Sequence, residues 1–223
     1  PSPWPQPDGL RVLLHGDSML ATVVDTAAID AYPYGAQGAL IGDFLGQSDT
    51  WSSGVGGSGW MAPAVHDRSW FNERVAIDVV APAPDVIVEM GGGNDAAVTP
   101  AQGTIQPLIE TWLNTVLSAK PETLVFMTGP IIASNGSAAH TTIHAAKQAA
   151  AAKFPRNVAF IETLTDPWVS GTGRAGTPTG DGNRDWICGS DGAHPTTEGH
   201  RYLAGRVARG IAQAIPALIA AQA

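Results

Sequence analysis

Cysteine is nearly missing from this chain of 223 residues, where Cys188 is the only one. A lone thiol excludes an intrachain disulfide and any cysteine-cluster metal site. Lysine is scarce as well: Lys120, Lys147 and Lys153 are the only three, and the formal net charge is −8. Such a surface repels phosphate backbones and anionic lipid heads, so neither nucleic acid nor a membrane surface fits as the main partner. No apolar run approaches the ~18 residues of a membrane span. Internal repeats and shifts in composition are also missing, so nothing divides the chain into parts.

What is present is a globular composition long enough to bury a sizeable core. Pro1-Ser-Pro-Trp-Pro-Gln-Pro7 reads as an extended linker. Residues 1–8 are therefore expected to be a linker or the trimmed edge of a longer chain, and residues 9–223 the folded domain. Val12–Leu14, Asp85–Met90, Thr123–Met127 and Asn157–Ile161 are short apolar runs bounded by turn residues, as buried parallel strands are. Between them lie helical patterns: Met19–Ile29, Gly38–Leu45, Trp70–Val80, Pro100–Lys120, Thr141–Lys153 and Pro195–Ala214. The clearest is Pro100–Lys120, where Ile105, Leu108, Ile109, Trp112, Leu113, Val116 and Leu117 form one stripe. In the last helix Leu203, Val207, Ile211 and Ile215 should point inward. Strands alternating with helices predict a three-layer α/β/α domain around a parallel sheet.

Four loops carry the polar and glycine-rich residues of this scheme: Gly16-Asp-Ser18, Gly54–Gly59, Gly91–Asp95 and Asp191-Gly-Ala-His194. Three of them follow or lie near predicted strand ends, the edge at which open α/β sheets bind ligands. Gly16 is expected to permit a tight turn ahead of Ser18. A serine hydroxyl is a poor nucleophile until a base such as His takes its proton, and a carboxylate improves that base by holding its other nitrogen. Ser18, His194 and Asp191 supply those types. Backbone N–H groups at Ser18 and at a glycine within 54–59, with the Asn94 amide, could serve a developing oxyanion.

These four blocks, in this order, resemble those of the SGNH/GDSL hydrolase superfamily of serine esterases and lipases, from residue 11 to about 205. The resemblance implies a flavodoxin-like, five-stranded parallel sheet and a cofactor-free, metal-free esterase acting through an acyl-enzyme. It makes Ser18 the nucleophile, His194 the base and Asp191 its orienting carboxylate. Ser18 N–H, Gly57 N–H and Asn94 would form the oxyanion hole, with Gly56 or Gly59 as alternatives to Gly57. It also implies carboxylic-ester substrates: acetylated carbohydrates, short-chain lipids or thioesters. Met19 stands where the family has Leu, and Gly91 is an extra glycine ahead of the third block. No Gly-x-Ser-x-Gly elbow surrounds Ser18, which disfavours an α/β-hydrolase.

Competing readings exist for several residues. His15, Asp17, Asp95, Asp191 and His194 could belong to a metallophosphoesterase, but such sites use more histidine. His140 and His144, four apart, are a candidate metal pair, though a solvated helix face explains them as well. Asp181, Asp185 and Asp191 match no calcium loop. Trp60 and Trp186 could line an acyl or sugar cleft or be core, and Trp112 should be core. Cys188 should be inert. A glycan or cell-envelope substrate would put the protein outside the cell or at its surface. A non-catalytic carbohydrate-binding or structural domain on the same scaffold is the alternative to an enzyme, and oligomeric state is not legible.

Overall fold

The computed structural model describes residues 9–20, 36–47, 49–62, 70–131 and 136–222. The linker expected at 1–8 and most of the helix expected at 19–29 lie outside these. Five strands form one parallel sheet: β1 (Val12–Gly16), β2 (Thr50–Gly54), β3 (Val86–Met90), β4 (Leu124–Thr128) and β5 (Val158–Ile161), in the order β2-β1-β3-β4-β5. The helices are α1 (Ala36–Leu45), α2 (Phe71–Arg74), α3 (Gln102–Ala119), α4 (Ala138–Ala151), α5 (Arg184–Ile187) and α6 (Thr197–Gln222). The sheet reverses its winding at β1, between β2 and β3, so the loops after these strands open at a topological switch point.

Both faces of the sheet are covered, which is why β1 and β3 are buried at every position. Val12, Leu14, Val86, Val88 and Phe126 pack on one side with Ile41 of α1 and Leu203, Val207 and Ile211 of α6. Leu13, Ile87, Val125 and Met127 pack on the other with Phe71, Ile109, Trp112, Leu113, Ile143 and Ala150. The α3 stripe is the one the periodicity predicts. Ile215, expected to point inward, is 39% exposed, because the inward face of α6 continues from Ile211 through Ala214 to Leu218 and leaves Ile215 to one side.

Other departures concern β2 and the Trp70–Val80 segment. Strand β2 reads Thr-Trp-Ser-Ser-Gly and is only half-buried, as an edge strand can be, so no apolar run marks it. Segment 71–80 begins as α2 and then widens into a π-helical turn over Val75–Val80. Gly16 does not serve a positive-φ turn. It ends β1, and a Cβ there would lie 2.5 Å from the Met90 carbonyl oxygen on β3, so glycine is required for close approach.

Candidate active site

Ser18 follows β1 by two residues, in a turn fixed by Asp17. The Asp17 carboxylate accepts the Met19 N–H at 3.0 Å, and its carbonyl accepts the Leu20 N–H at 3.0 Å. Burial pushes the Asp17 carboxyl up to about 6, with the Met19 N–H the strongest influence against it. At the other end of the chain, Asp191 organises the loop before α6. Its Oδ1 accepts the N–H groups of Ala193 at 3.0 Å and His194 at 3.1 Å, and its Oδ2 meets His194 Nδ1 at 2.6 Å. Burial would raise the Asp191 carboxyl, but these donors outweigh it and hold it below its usual range.

His194 then reaches across to the first loop. Its Nε2 lies 2.9 Å from Ser18 Oγ, a contact spanning 176 residues of chain. A hydroxyl bonded to an imidazole whose far nitrogen meets a carboxylate can shed its proton as it attacks a carbonyl carbon. His200, one turn along α6, is pushed down to about 4 by burial and by the nearby His194.

The remaining two loops are fastened by Asp95 and Asn94. Asp95 is fully buried and accepts three backbone N–H groups: Trp60 at 3.0 Å, Met61 at 2.6 Å and Ala62 at 2.7 Å. A Cβ on Gly59 would lie 2.6 Å from that carboxylate, so only glycine admits the contact. Asn94 donates one amide hydrogen to the Ser58 carbonyl at 3.0 Å, leaving its second for another acceptor. Gly57 takes a positive φ of 73° in the turn where Ser58 N–H bonds the Val55 carbonyl, and a Cβ on Gly56 would sit 3.9 Å from the Ser18 Cβ. Arg74, also buried, donates to the Gly16 carbonyl at 2.9 Å and pairs with Asp78 at 3.2 Å.

A cleft of about 230 Å³ brings together the loops of Ser18, Asn94 and His194, and Ile131 and His140 also line it. Ile131 also borders a second hollow of about 280 Å³, lined largely by apolar residues such as Pro130, Leu164, Trp168 and Leu203.

Several expected site residues are placed elsewhere. Trp60 is 2% exposed and stacks edge-on against Phe71 and Trp112, so it is core and not a wall of the cleft. Trp112 is core, as predicted. Trp186 is 46% exposed, packs edge-on against Tyr202 and is not among the described residues lining the cleft. His144 is buried and its Nε2 pairs with Glu162 at 3.0 Å, whereas His140 is partly exposed, its Nδ1 meeting Ser137 in the α4 capping box. His15 is sealed among Phe71 and Trp112. Asp181 and Asp185 spend their oxygens on Thr172, Thr179 and Gly180 of their own loop. Cys188 is buried, and burial raises its thiol away from reactivity. Arg74, Glu89, Lys147 and the anchoring role of Asp95 were not foreseen. The one signal was Glu89, a charge inside an otherwise apolar strand.

With this geometry in view, comparison with known proteins is decisive. The family model for GDSL-like lipases/acylhydrolases matches residues 14–202. The chain belongs to that family. No curated protein sequence matches it significantly. Among solved structures, this GDSL-like acylhydrolase is similar to the lipase/acylhydrolase from Enterococcus faecalis, with 18% identity, 91% of this chain and 95% of that one covered, and a TM-score of 0.65. It is also similar to a carbohydrate esterase family 3 protein from Talaromyces cellulolyticus, with 19% identity, coverage of 93% and 98%, and a TM-score of 0.61. A third similar structure is a carbohydrate esterase family 2 enzyme with a carbohydrate-binding domain from Corynascus thermopiles (Myceliophthora fergusii), at 18% identity, coverage of 96% and 68%, and a TM-score of 0.61. The three-layer α/β/α fold is common to them, and the chain is an SGNH-type ester hydrolase.

Proposed function

We propose that the protein is a serine esterase that removes small acyl groups, acetyl above all, from glycan or cell-envelope esters. The observation that carries this reading is the 2.9 Å contact from Ser18 Oγ to His194 Nε2, continued at 2.6 Å to Asp191. Ser18 Oγ attacks the ester carbonyl carbon while His194 Nε2 takes its proton. The Ser18 and Gly57 N–H groups and the Asn94 amide receive the charge that grows on the carbonyl oxygen. The ester C–O bond then breaks, the alcohol leaves with the proton from His194, and an acyl-Ser18 remains. Water attacks this acyl group with His194 again as base, which frees the acid and restores the serine hydroxyl.

Support for a small acyl group comes from the modest cleft, and support for a glycan from the carbohydrate esterases of the same fold. The hollow beyond Ile131 makes chain length worth testing directly. p-Nitrophenyl acetate, butyrate and octanoate, with acetylated oligosaccharides, are offered to wild type and to Ser18→Ala. Acetate and acetylated sugars should turn over fastest, and Ser18→Ala should lose at least about 1,000-fold in kcat. A wild type inactive on every ester would overturn the esterase in favour of a carbohydrate-binding scaffold.

A further inference from the structure

Just below the strand ends lies a buried ion pair that no reaction step requires. Glu89 on β3 and Lys147 on α4 are both fully buried, and Lys147 Nζ lies 2.6 Å from Glu89 Oε2. Burial raises the Glu89 carboxyl, and the Lys147 ammonium is the largest influence opposing it. Stability alone is a poor reason for such a pair, because apolar residues of similar volume commonly do as well or better. Its hydrogen bonds indicate another role. Glu89 Oε1 accepts the Gly91 N–H at 2.9 Å, and Lys147 Nζ donates to the Gly91 carbonyl at 2.7 Å. The peptide groups on both sides of Gly91 are therefore held from below.

The same helix holds the next two residues. Gly92 takes a positive φ of 102°, and a Cβ on it would lie 3.1 Å from Ile143 Cγ2. His140 borders the cleft together with Gly93, whose backbone opposes the lowering of the imidazole by burial. His140, Ile143 and Lys147 stand at i, i+3 and i+7, one face of α4. They meet Gly93, Gly92 and Gly91 in reverse order, and Asn94 comes next. A run of glycines has no side chains of its own with which to fix its shape. The extra glycine of this chain, Gly91, is the residue that the ion pair grips.

We propose that Glu89 and Lys147, with the His140–Ile143–Lys147 face of α4, are positioning residues that set the Gly91–Gly93 turn and so aim the Asn94 amide into the cleft before substrate binds. This rests on the esterase reading, with Asn94 as an oxyanion donor. Preorganised donors carry much of the rate in acyl transfer, and removing one costs about 100- to 1,000-fold in kcat. A donor that is present but loosely held should forfeit part of that, about 10- to 100-fold.

The test is a cycle of variants assayed on p-nitrophenyl acetate. Lys147→Met/Glu89→Leu removes both charges together and so leaves no lone buried ion, but it strands the buried Gly91 N–H and carbonyl, so it should fold with a melting temperature lowered by several degrees. Its kcat should fall about 30-fold with KM within about threefold. In an Asn94→Ala background the same double change should cost less than about threefold, because the donor it positions is already gone. Should the double variant fail to fold, Glu89→Gln/Lys147→Met, which leaves no lone buried ion and keeps an oxygen for the Gly91 N–H, carries the same cycle, with a loss of several-fold in wild type and none in Asn94→Ala. Equal losses in both backgrounds, or no loss in wild type, would overturn the inference. Inactivity of wild type on every ester is a different result and counts against the esterase reading instead.

Discussion

Asp95 offers the sharpest test of how the second loop is held. Substituting alanine deletes an acceptor shared by three backbone N–H groups, at 2.6–3.0 Å. The donors at Trp60 and Ala62 are buried, while that of Met61 is partly open to water. A buried donor left without a partner costs roughly 1–3 kcal/mol, so two dry donors cost about 4 kcal/mol. Against this, burial raises the Asp95 carboxyl, which the Trp60, Met61 and Ala62 N–H groups offset without overturning, so losing the charge returns some desolvation energy. The balance is about 3 kcal/mol. For a chain of this size that lowers Tm by roughly 6–12 °C. Asp95→Asn keeps one oxygen but turns an NH2 toward one of the donors, so it should fall between wild type and alanine. Thermal unfolding followed by circular dichroism measures the shift, and p-nitrophenyl acetate hydrolysis measures the consequence for the loop that carries Gly57. Activity should drop at least about tenfold, because the Ser58 carbonyl that orients Asn94 lies in the released segment. An Asp95→Ala protein melting within about 2 °C of wild type would refute the reasoning.

Asp191→Asn should leave the fold intact but present an NH2 where His194 Nδ1 now meets an oxygen, favouring the wrong tautomer. A loss of about 100- to 10,000-fold in kcat is expected from steady-state kinetics, and a loss below about tenfold would remove Asp191 as the orienting group. Stability should also respond to acid through His200, whose folded value is depressed to about 4 while the unfolded chain titrates near 6.5. The unfolded state then binds more protons between those values, so this histidine costs stability as pH falls from about 6.5 to about 4. His200→Gln should flatten that part of a urea-denaturation profile by up to about 3 kcal/mol, and an unchanged slope would count against a neutral buried His200.

How far the sequence could be read follows from what kind of signal each element left. β1, β3, β4 and β5 are apolar runs closed by turn residues, and α3 carries a stripe of seven apolar residues from Ile105 to Leu117, so burial itself wrote their pattern. β2 wrote none. It lies at the sheet edge, and its Ser53 hydroxyl bonds Asp78 at 3.0 Å in place of burying an apolar group. The π-helical turn at Val75–Val80 has helix-compatible spacing, and periodicity cannot tell the two windings apart. Ser18, Asn94, Asp191 and His194 were legible because each sits in a short local block. Trp60 was ambiguous for the opposite reason: its side is decided by Asp95, 35 residues away, which pins the backbone so that the indole turns inward. Glu89 announced that a partner was needed, since an unpaired charge is not tolerated in a buried strand. Nothing local could say that Lys147 was that partner.

The charge distribution now explains a tension in the composition. This chain is poor in charged residues, yet it buries Asp17, Arg74, Glu89, Asp95 and Lys147 beneath a single cleft. Each bonds backbone: Asp17 at Met19, Arg74 at Gly16, Asp95 at residues 60–62, and the Glu89–Lys147 pair at Gly91. Glycine loops let the main chain approach a reacting carbonyl but offer nothing to pack, so apolar burial cannot fix them. Directional bonds from desolvated charged groups can, because they are strong and sensitive to angle in a low-dielectric interior. The cost falls on global stability. Raised carboxyls at Asp17, Glu89 and Asp95 are the mark of that cost, and the cleft they surround is where a rigid backbone matters most.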